Sequence, residues 1–545
     1  MVQSFRTNTG DLLLIPNVSF RQAAIVVLFF AVGQFILQVG LLARGVEYVA
    51  ASLIIDDTYY YLQTAWNTKQ LGFVTFDGLH PTNGVQLLWF AITFLLAMLA
   101  NTKTVLLFAT MVVSFLLNGL CYLFILKTAA ILKQPTLALV MAGLWSLQSL
   151  PFRIYSMGME NSLHALVFWC VIWQTTIFLI RVQNRAKPNF WGLTIVLILN
   201  VWTRLDSALL SAVLYTFCMV MLASSYRSEF RLFLQKHLKA ITGSSLFAGF
   251  GLFTQLSAFW LMGDSFLPVS ALVKTNGSSR GWSIATVDKL VEVFTLGMPS
   301  ILQGRFPTLA LVVLGIFGIL LVLGARKVIH NHPKELLAFL NLWACLLVGE
   351  ILYHFYIAIS GVQYTLYFIW YRSPSFIFWI ITLSLIVLFT SKYIKPVKHY
   401  KVFKWAPIGF SLLLFAVAIY MFVRSINFSS KLYVARYDAA LWIAENYPTD
   451  VIFASWNAGQ LGFFTNRTFI NLDGVINNVD YYERVLRGPI SVTDYLFENR
   501  VDYIVDYDTY DSIPDFPVVR TFPLNDESGR SIQIWQVTPQ ISSVQ

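Results

Sequence analysis

The stretch VEYVAASLIIDDTYYYLQTAW, residues 46–66, places two adjacent carboxylates, Asp56 and Asp57, directly after the first long apolar segment of the chain. An aspartate within a membrane span costs about 2.5–3.5 kcal/mol on insertion scales, so a pair at the rim of a span needs an explanation. In one interpretation the pair caps the helix that carries the three following tyrosines. In the other, one carboxylate is an active-site group that faces a water-filled cavity at the membrane surface.

The composition is that of a membrane protein. Hydrophobic residues make up 57% of the 545 residues, charged residues only 12%, and the mean hydropathy is +0.65, which excludes an ordinary soluble protein of this length. Residues 1–424 carry 30 basic and 13 acidic residues, whereas residues 425–545 carry 8 and 15. Basic residues in short loops orient membrane spans, so the net charge of +10 does not indicate a nucleic-acid partner.

Apolar segments alternate with polar connectors along residues 1–424. The apolar segments are 22–44, 84–100, 104–126, 136–150, 162–181, 190–203, 207–224, 241–262, 306–324, 336–358, 374–391 and 406–424. The basic connectors, expected to be cytoplasmic, are 127–133, 181–187, 226–239, 325–334 and 391–404. This pattern predicts a polytopic α-helical membrane protein with about 11 transmembrane helices, in which residues 84–100 do not cross and loop 45–83 is external.

Residues 425–545 change character and are expected to form an external α/β domain. A helical stretch, YVARYDAALWIAEN, is followed by short apolar runs that are typical of strands. The runs are VIFASW (451–456), TFINL (468–472), DYIVDY (502–507) and IQIWQV (532–537). The predicted location is therefore the plasma (inner) membrane, with this domain outside the cytoplasm.

Neither cysteine nor histidine spacing indicates a metal site. The four cysteines lie within apolar stretches, which argues against a disulfide framework and against a Cys-rich zinc site. No cofactor and no metal ligand is predicted, and dependence on a divalent metal stays open. The first apolar run has no small-residue cleavage site after it and is expected to be a retained span.

With this topology, unusual polar residues gather on the external side. They are Asp56, Asp57, His80, Thr82, Asn83, Arg153, Glu160, Arg204, Asp206, Lys274 and Arg372. A lone charge among apolar residues is unfavourable unless it is paired or hydrated. Arg and Lys side chains bind phosphate oxygens, and a carboxylate accepts a proton from an attacking hydroxyl, so this set suits a substrate with both groups.

Each of these residues also has a structural explanation. Arg204 and Asp206 form an ion pair at a span end in one interpretation, and Glu160 caps the helix that begins near Ser162. Arg372 is then an interface residue that extends to the membrane surface, and His80, which precedes a proline, shapes its loop. Lys274 has the fewest structural explanations, because its loop is rich in glycine and serine.

At these residues the chain resembles polytopic glycosyltransferases of the GT-C class that use polyprenyl-phosphate sugars. This group includes protein O-mannosyltransferases, lipid A aminoarabinose transferases and actinobacterial arabinofuranosyltransferases. The matching segments are the loop from Asp56 to Trp89, GMENSL (158–163), TRLDSALL (203–210), FLPVSALVKT (266–275) and GQLGFFTNRTFINLDGVIN (459–477). The chain departs from the group's Pro-Glu pair at Leu205 and Asp206, and from its lysine motif at Val269, Ser270 and Leu272.

The resemblance implies a GT-C-like fold and an inverting sugar transfer to an extracytoplasmic glycan, lipid or protein. The donor is then a polyprenyl-phosphate sugar acting as co-substrate, with its lipid tail in the bilayer. Asp56 or Asp57 is the expected base, with Asp56 preferred by analogy, since neighbouring residues on a helix point about 100° apart. The expected phosphate ligands are Lys274, Arg372 and Arg204, and the expected acceptor- or sugar-orienting residues are Glu160, His80, Asn83 and Arg153.

Two other classes remain as alternatives. One is a lipid-linked sugar transporter or flippase, and the other is a membrane scaffold with an external binding domain. A transporter is expected to place its charges within the spans, and many are built from two inverted repeats, whereas this chain has no internal repeat and clusters its charges at one rim.

Overall fold

A computed structural model describes residues 18–151, 153–276, 334–359, 373–393, 405–426, 430–508 and 516–538, with single positions at 316 and 320. The helices of the first part are α1 Phe20–Leu42, α2 Asp56–Leu71, α3 Leu87–Leu99, α4 Lys103–Ile131, α5 Pro135–Ser149, α6 Asn161–Gln183, α7 Phe190–Thr203, α8 Ala208–Ser225, α9 Phe230–Gly263, α10 Val269–Asn276, α11 Lys334–Ile359, α12 Ser373–Tyr393 and α13 Ala406–Ile426. The C-terminal part contains α14 Lys431–Asn446, β1 Ile452–Ser455, α15 Ala458–Thr465, β2 Thr468–Asn471, α16 Val492–Glu498, β3 Tyr503–Tyr507, β4 Val518–Pro523 and β5 Ser531–Gln536.

Long apolar helices dominate the first part of the chain. Within the described ranges, eight helices are long and apolar enough to cross a membrane, which confirms a polytopic α-helical membrane protein. Helices α3 and α7 have 13 and 14 residues and are only about 20 Å long, shorter than the ~30 Å hydrocarbon core. The segment of α3 was expected not to cross and that of α7 was expected to cross, so helix length does not separate the two. The apolar segment 306–324 lies almost wholly outside the described residues, so the total of about 11 crossings stays a prediction.

Helices α1, α4 and α5 are joined by buried polar side chains as well as by apolar packing. The Tyr122 hydroxyl donates to Gln34 Oε1 at 2.6 Å and lies 2.6 Å from Ser146 Oγ, while Ser149 Oγ donates to the same Gln34 oxygen at 3.1 Å. All four side chains are buried. Because lipid offers no hydrogen bonds, polar side chains inside a helical bundle bond to one another, and this network fixes the three helices.

The C-terminal part contains one five-stranded sheet with the order β2-β1-β3-β5-β4. Strand β1 pairs in parallel with β2 and β3, and β5 pairs antiparallel with β3 and β4. The four strands predicted from apolar runs are confirmed. Strand β4 was missed because it is an exposed edge strand, ends in a proline and has no buried alternating face.

Helix α2 joins the two parts of the molecule. Its Tyr59 ring packs on Phe463 and Phe464 of α15, with ring centroids 5.2 and 5.5 Å apart. Lys103, at the start of α4, donates to the Phe463 carbonyl at 2.9 Å. One hydrophobic cluster includes side chains of α2, α3, α4 and the sheet. The helix that begins with the acidic pair therefore lies between the membrane helices and the α/β part.

Candidate active site

The two acidic residues at the start of α2 face different parts of the molecule. Asp56 is buried, and its Oδ2 and Oδ1 accept the backbone N–H groups of Gly459 and Gln460 at 3.0 and 2.9 Å. Arg436 Nη1 lies 3.7 Å from Oδ1. A Cβ at Gly459 would collide with the Asp56 carbonyl oxygen, so only glycine fits there. Asp56 thus binds the N-terminus of α15, where the helix dipole favours an anion.

Asp57 faces a cavity instead. The two side chains diverge, as expected for neighbours on a helix, but it is Asp57 and not the preferred Asp56 that lines the cavity. Tyr60 and Tyr61 follow at the positions that share a helix face with Asp57, and they line the cavity too. Asp57 is half-buried, and the pKa of its carboxyl is raised to about 6, chiefly by burial. The Lys274 charge opposes this rise of the pKa, while the charges of Asp56 and Glu160 contribute to it.

The cavity has a volume of about 220 Å³ and lies where several loops and helix ends meet. In the membrane part, its walls come from α2, the loop before α3, the start of α6, and the turn between α7 and α8. Residues 267–275, the end of α11 and Val475 of the C-terminal part form the remaining walls. Lys274 and Thr275, in the last turn of α10, form one side. Lys274 is half-buried and close enough to lower the pKa of Asp57, so a cation and a carboxylate share this space.

A charged network lies at another wall of the cavity. Arg204, which is 2% exposed, donates from Nη1 to Glu160 Oε1 at 2.7 Å, and from Nε and Nη2 to the two oxygens of Asp206 at 3.1 and 3.0 Å. The Tyr353 hydroxyl donates to Asp206 Oδ2 at 2.6 Å. Both carboxylates therefore pair with the same guanidinium, and pairing is the condition under which buried charges are tolerated.

These contacts revise two sequence-based assignments. The Arg204–Asp206 ion pair exists, and the Arg204 guanidinium is engaged by carboxylates rather than presented as a phosphate ligand. Glu160 occupies the N-cap position of α6 but makes no capping hydrogen bond through its side chain. Its carboxylate is held by Arg204 at the cavity wall.

Asn83 is buried and joins two loops, instead of lining the cavity as an acceptor-orienting residue would. Its Nδ2 donates to the carbonyl oxygens of Phe259, Ser265 and Leu267 at 3.1, 3.0 and 3.2 Å, and its Oδ1 accepts from the Val269 N–H at 2.8 Å. The amide therefore fixes the end of α9 and the start of α10, the helix that carries Lys274.

His80 also shapes its own loop. Its Nδ1 lies 2.8 Å from Asp77 Oδ2 and its backbone N–H donates to Asp77 Oδ1 at 2.8 Å. The hydrogen bond with Asp77 raises the pKa of His80. His80 is not among the residues that line the cavity, which matches the alternative that it shapes the loop.

Two predicted residues stay predictions. Arg372 lies outside the described residues, and of Arg153 only the backbone is described, in a short 3₁₀ turn from Arg153 to Tyr155. Within the described ranges, no group of three or more His, Cys, Asp and Glu side chains is placed to hold a metal ion. Metal dependence therefore stays open.

Sequence reasoning missed several residues of the site. Tyr60 and Tyr61 were detectable, because they follow Asp57 at helical spacing. Val475 and Tyr356 line the cavity from remote parts of the chain, and no local signal marks Tyr356. Val475 gave only a weak signal, since it lies in the C-terminal segment that resembles the glycosyltransferases. The same segment contains Asp473, whose carboxylate accepts the Tyr60 hydroxyl.

Comparison with known proteins supports the fold. ArnT from Cupriavidus metallidurans bound to undecaprenyl phosphate aligns with a TM-score of 0.54 and 13% identity, covering 95% of this chain and 99% of that chain. The apo state of the same protein aligns with a TM-score of 0.51 and 12% identity, covering 94% and 97%. The chain thus shares the fold of ArnT over nearly its whole length.

In sequence, residues 425–540 match a family described as a domain of unknown function, DUF8728. No curated protein matches the chain in sequence. The match begins near the end of α13 and covers the five strands of the sheet, so the C-terminal part recurs as a sequence unit.

The Asp56 contacts predict a stability difference within the acidic pair. Asp56→Asn replaces one acceptor oxygen with an N–H₂ group that faces a backbone N–H, so a charge-assisted hydrogen bond worth about 1.5–3 kcal/mol is lost. We expect a lower unfolding temperature in detergent, measured by intrinsic fluorescence. Asp57→Asn is the matched control and should unfold at or above the wild-type temperature, because it removes a half-buried charge. Equal unfolding temperatures for the two variants would contradict the assigned role of Asp56.

Proposed function

We propose that the protein is an integral membrane glycosyltransferase that transfers a sugar from a polyprenyl-phosphate donor to an acceptor outside the cytoplasm, with Asp57 as the base. The observation that carries this proposal is the cavity itself, in which the half-buried Asp57 and Lys274 share one space in a GT-C fold. The acceptor is a glycan, lipid or protein of the cell envelope, and the membrane is the plasma (inner) membrane.

The proposed reaction is a single displacement with inversion. The Asp57 carboxylate accepts the proton of the acceptor hydroxyl, and the hydroxyl oxygen forms a bond to the anomeric carbon. The bond between that carbon and the phosphate oxygen breaks, and its electron pair leaves with polyprenyl phosphate. Lys274 stabilises the phosphate charge. Attack from the side opposite the leaving group inverts the configuration at the anomeric carbon.

The surroundings of Asp57 suit this role better than those of Asp56. A base needs an accessible carboxylate and a pKa near the operating pH, and burial raises the pKa of Asp57 to about 6. Both oxygens of Asp56 are already bonded to backbone N–H groups. We therefore replace Asp56 by Asp57 as the proposed base and give Asp56 a positioning role.

Arg204 and Glu160 receive revised roles. Arg204 holds Glu160 at the cavity wall, and Glu160 orients the acceptor or the sugar. The lipid tail of the donor is proposed to lie beside the junction of α9 and α10. Four apolar side chains are exposed there, as expected for a surface in lipid: Trp260, Leu261, Phe266 and Leu267.

The enzyme proposal predicts the effect of Asp57→Asn. The amide retains shape but accepts no proton, so transfer from a panel of polyprenyl-phosphate sugars to cell-envelope acceptor should fall about 10²–10⁴-fold. In the wild type, transfer should decline as the pH falls through about 6, because a protonated Asp57 is inactive as a base. The residual activity of the variant should not show this decline at acidic pH.

The competing class, a lipid-linked sugar transporter, gives a different result. Wild-type protein in vesicles would then move intact donor to the other leaflet without forming a glycosylated product. Mass analysis of radiolabelled donor and product separates the two outcomes. Recovery of intact donor across the membrane, with no product, would rule out the transferase.

Lys274→Ala should weaken binding of undecaprenyl phosphate about ten- to a hundredfold, since a charge-assisted contact contributes about 1.5–3 kcal/mol. Removing this cation should also shift the decline of transfer at acidic pH to higher pH, because Lys274 lowers the pKa of Asp57. Lys431→Ala is the control, since that lysine donates to a carbonyl of the C-terminal part away from the cavity. Unchanged affinity for undecaprenyl phosphate, together with an unchanged pH dependence of transfer, would show that Lys274 is not part of the site.

The proposed orientation places the sheet-containing part outside the cytoplasm. A single cysteine at the exposed position Val519, in a background with the four native cysteines replaced, should react with a membrane-impermeant maleimide in intact cells. The control cysteine replaces Arg185, in a connector predicted to be cytoplasmic, and should react only after lysis. The reverse pattern would invert the topology.

A further inference from the structure

A loop of the C-terminal part forms a wall of the cavity. This loop, residues 472–478, follows strand β2, and its Val475 lines the cavity. The loop also packs tightly on the segment before α3. A Cβ at Gly84 would collide with the Val475 carbonyl oxygen, and Thr82 Oγ1 donates to the Asn477 carbonyl at 2.8 Å.

The same loop is bonded to the helix that carries the proposed base. The Tyr60 hydroxyl, one helical turn after Asp57, donates to Asp473 Oδ2 at 3.3 Å and accepts from Asn471 Nδ2 at 3.2 Å. Asp473 Oδ1 accepts the Val475 N–H at 2.8 Å. One carboxylate therefore positions both the tyrosine ring in the cavity and the loop beside it.

The other side of the loop meets the helix that carries Lys274. A Cβ at Gly474 would lie 3.2 Å from the Val273 side chain, next to Lys274 in the chain. The loop thus bridges the segments of the carboxylate and of the cation. A displacement of the loop would change the relative positions of both groups, and catalysis is sensitive to shifts of about 1 Å.

Exposure to lipid distinguishes the proposed donor side from this wall. A polyprenyl tail requires an apolar surface in contact with lipid, and the exposed apolar side chains described above lie at the junction of α9 and α10. The wall at residues 472–478 instead belongs to the α/β part, and the half-buried Val475 lines the cavity beside Tyr60, whose hydroxyl bonds to Asp473.

Resting on the proposed function, we propose that residues 472–478 are the acceptor-side wall of the active site and that Asp473 is a positioning residue that holds Tyr60 beside Asp57. This assigns a role to the C-terminal part: it completes the cavity and selects the acceptor. The pKa of Asp473 is also raised to about 7, chiefly by burial and with a contribution from the charge of Asp57. A carboxyl kept in such an unfavourable place is typical of functional sites.

The first experiment separates acceptor from donor at Val475. Val475→Trp fills space at the wall, and Val475→Leu does so to a smaller extent. Three quantities are measured: binding of undecaprenyl phosphate, hydrolysis of the donor by water, and transfer to cell-envelope acceptor. Transfer should fall at least about tenfold more than hydrolysis or phosphate affinity, with the leucine variant intermediate. Val519→Trp, on the exposed edge strand β4, is the matched control and should behave as the wild type.

The second experiment tests Asp473 through Tyr60. Asp473→Ala and Tyr60→Phe should each lower kcat for transfer about ten- to a hundredfold with little change in donor KM. The loss in the double variant should be clearly smaller than the product of the two single losses, since both single variants remove the Tyr60–Asp473 hydrogen bond. Asp473→Asn should recover part of the rate, because its amide oxygen still accepts the Tyr60 hydroxyl.

The outcomes distinguish the two levels of the proposal. If the wild type neither hydrolyses nor transfers any donor, the proposed function fails and this inference fails with it. If the wild type transfers sugar but Val475→Trp weakens phosphate binding as much as transfer, or leaves transfer unchanged, only the acceptor-side assignment is overturned. Additive losses in the double variant, or no recovery with asparagine, would overturn the positioning role of Asp473.

Discussion

The carboxylate of Asp56 at the N-terminus of helix α15 is the contact on which the candidate site depends. It joins the first residue of α2 to two backbone N–H groups of the C-terminal part, and Gly459 permits this approach because a side chain there would collide with the Asp56 backbone. Since Asp56 is fixed in this direction, the next residue on the helix turns about 100° away. Asp57 and the tyrosines one turn later consequently point into the cavity.

A second constraint is the burial of charge where membrane helices end. Arg204 lies between Glu160 and Asp206, and Tyr353 of α11 bonds to the same aspartate. An isolated charge in this place would be strongly unfavourable, whereas here each carboxylate is paired with the guanidinium. The network joins the start of α6, the turn between α7 and α8, and α11, so it stabilises the cavity wall and holds Glu160 towards the proposed sugar site.

The C-terminal part is integrated with the membrane part and is not attached only through the chain. Its α15 packs on Tyr59, its residues 472–478 bond to Thr82 and Tyr60, and its Arg436 lies near Asp56. Hydrophobic side chains from both parts form one cluster. The wall of the cavity at Val475 therefore exists only when both parts are assembled, which explains how a small α/β unit contributes to chemistry proposed for a membrane enzyme.

The sequence by itself determined the membrane class, the long helices, four of the five strands and the location of the acidic pair, because these depend on local hydropathy and periodicity. It also identified Lys274 and Glu160, which are unusual charges in apolar surroundings. It could not decide which aspartate faces the cavity, because that depends on the contact between Asp56 and α15, about 400 residues away in the chain. Asn83, His80 and Arg204 were candidates as polar residues on one side of the membrane, but only the tertiary structure shows that backbone groups or carboxylates engage them. Val475 and Asp473 reach the site through long-range packing, and the sequence marked them only by the resemblance of their segment to the glycosyltransferases.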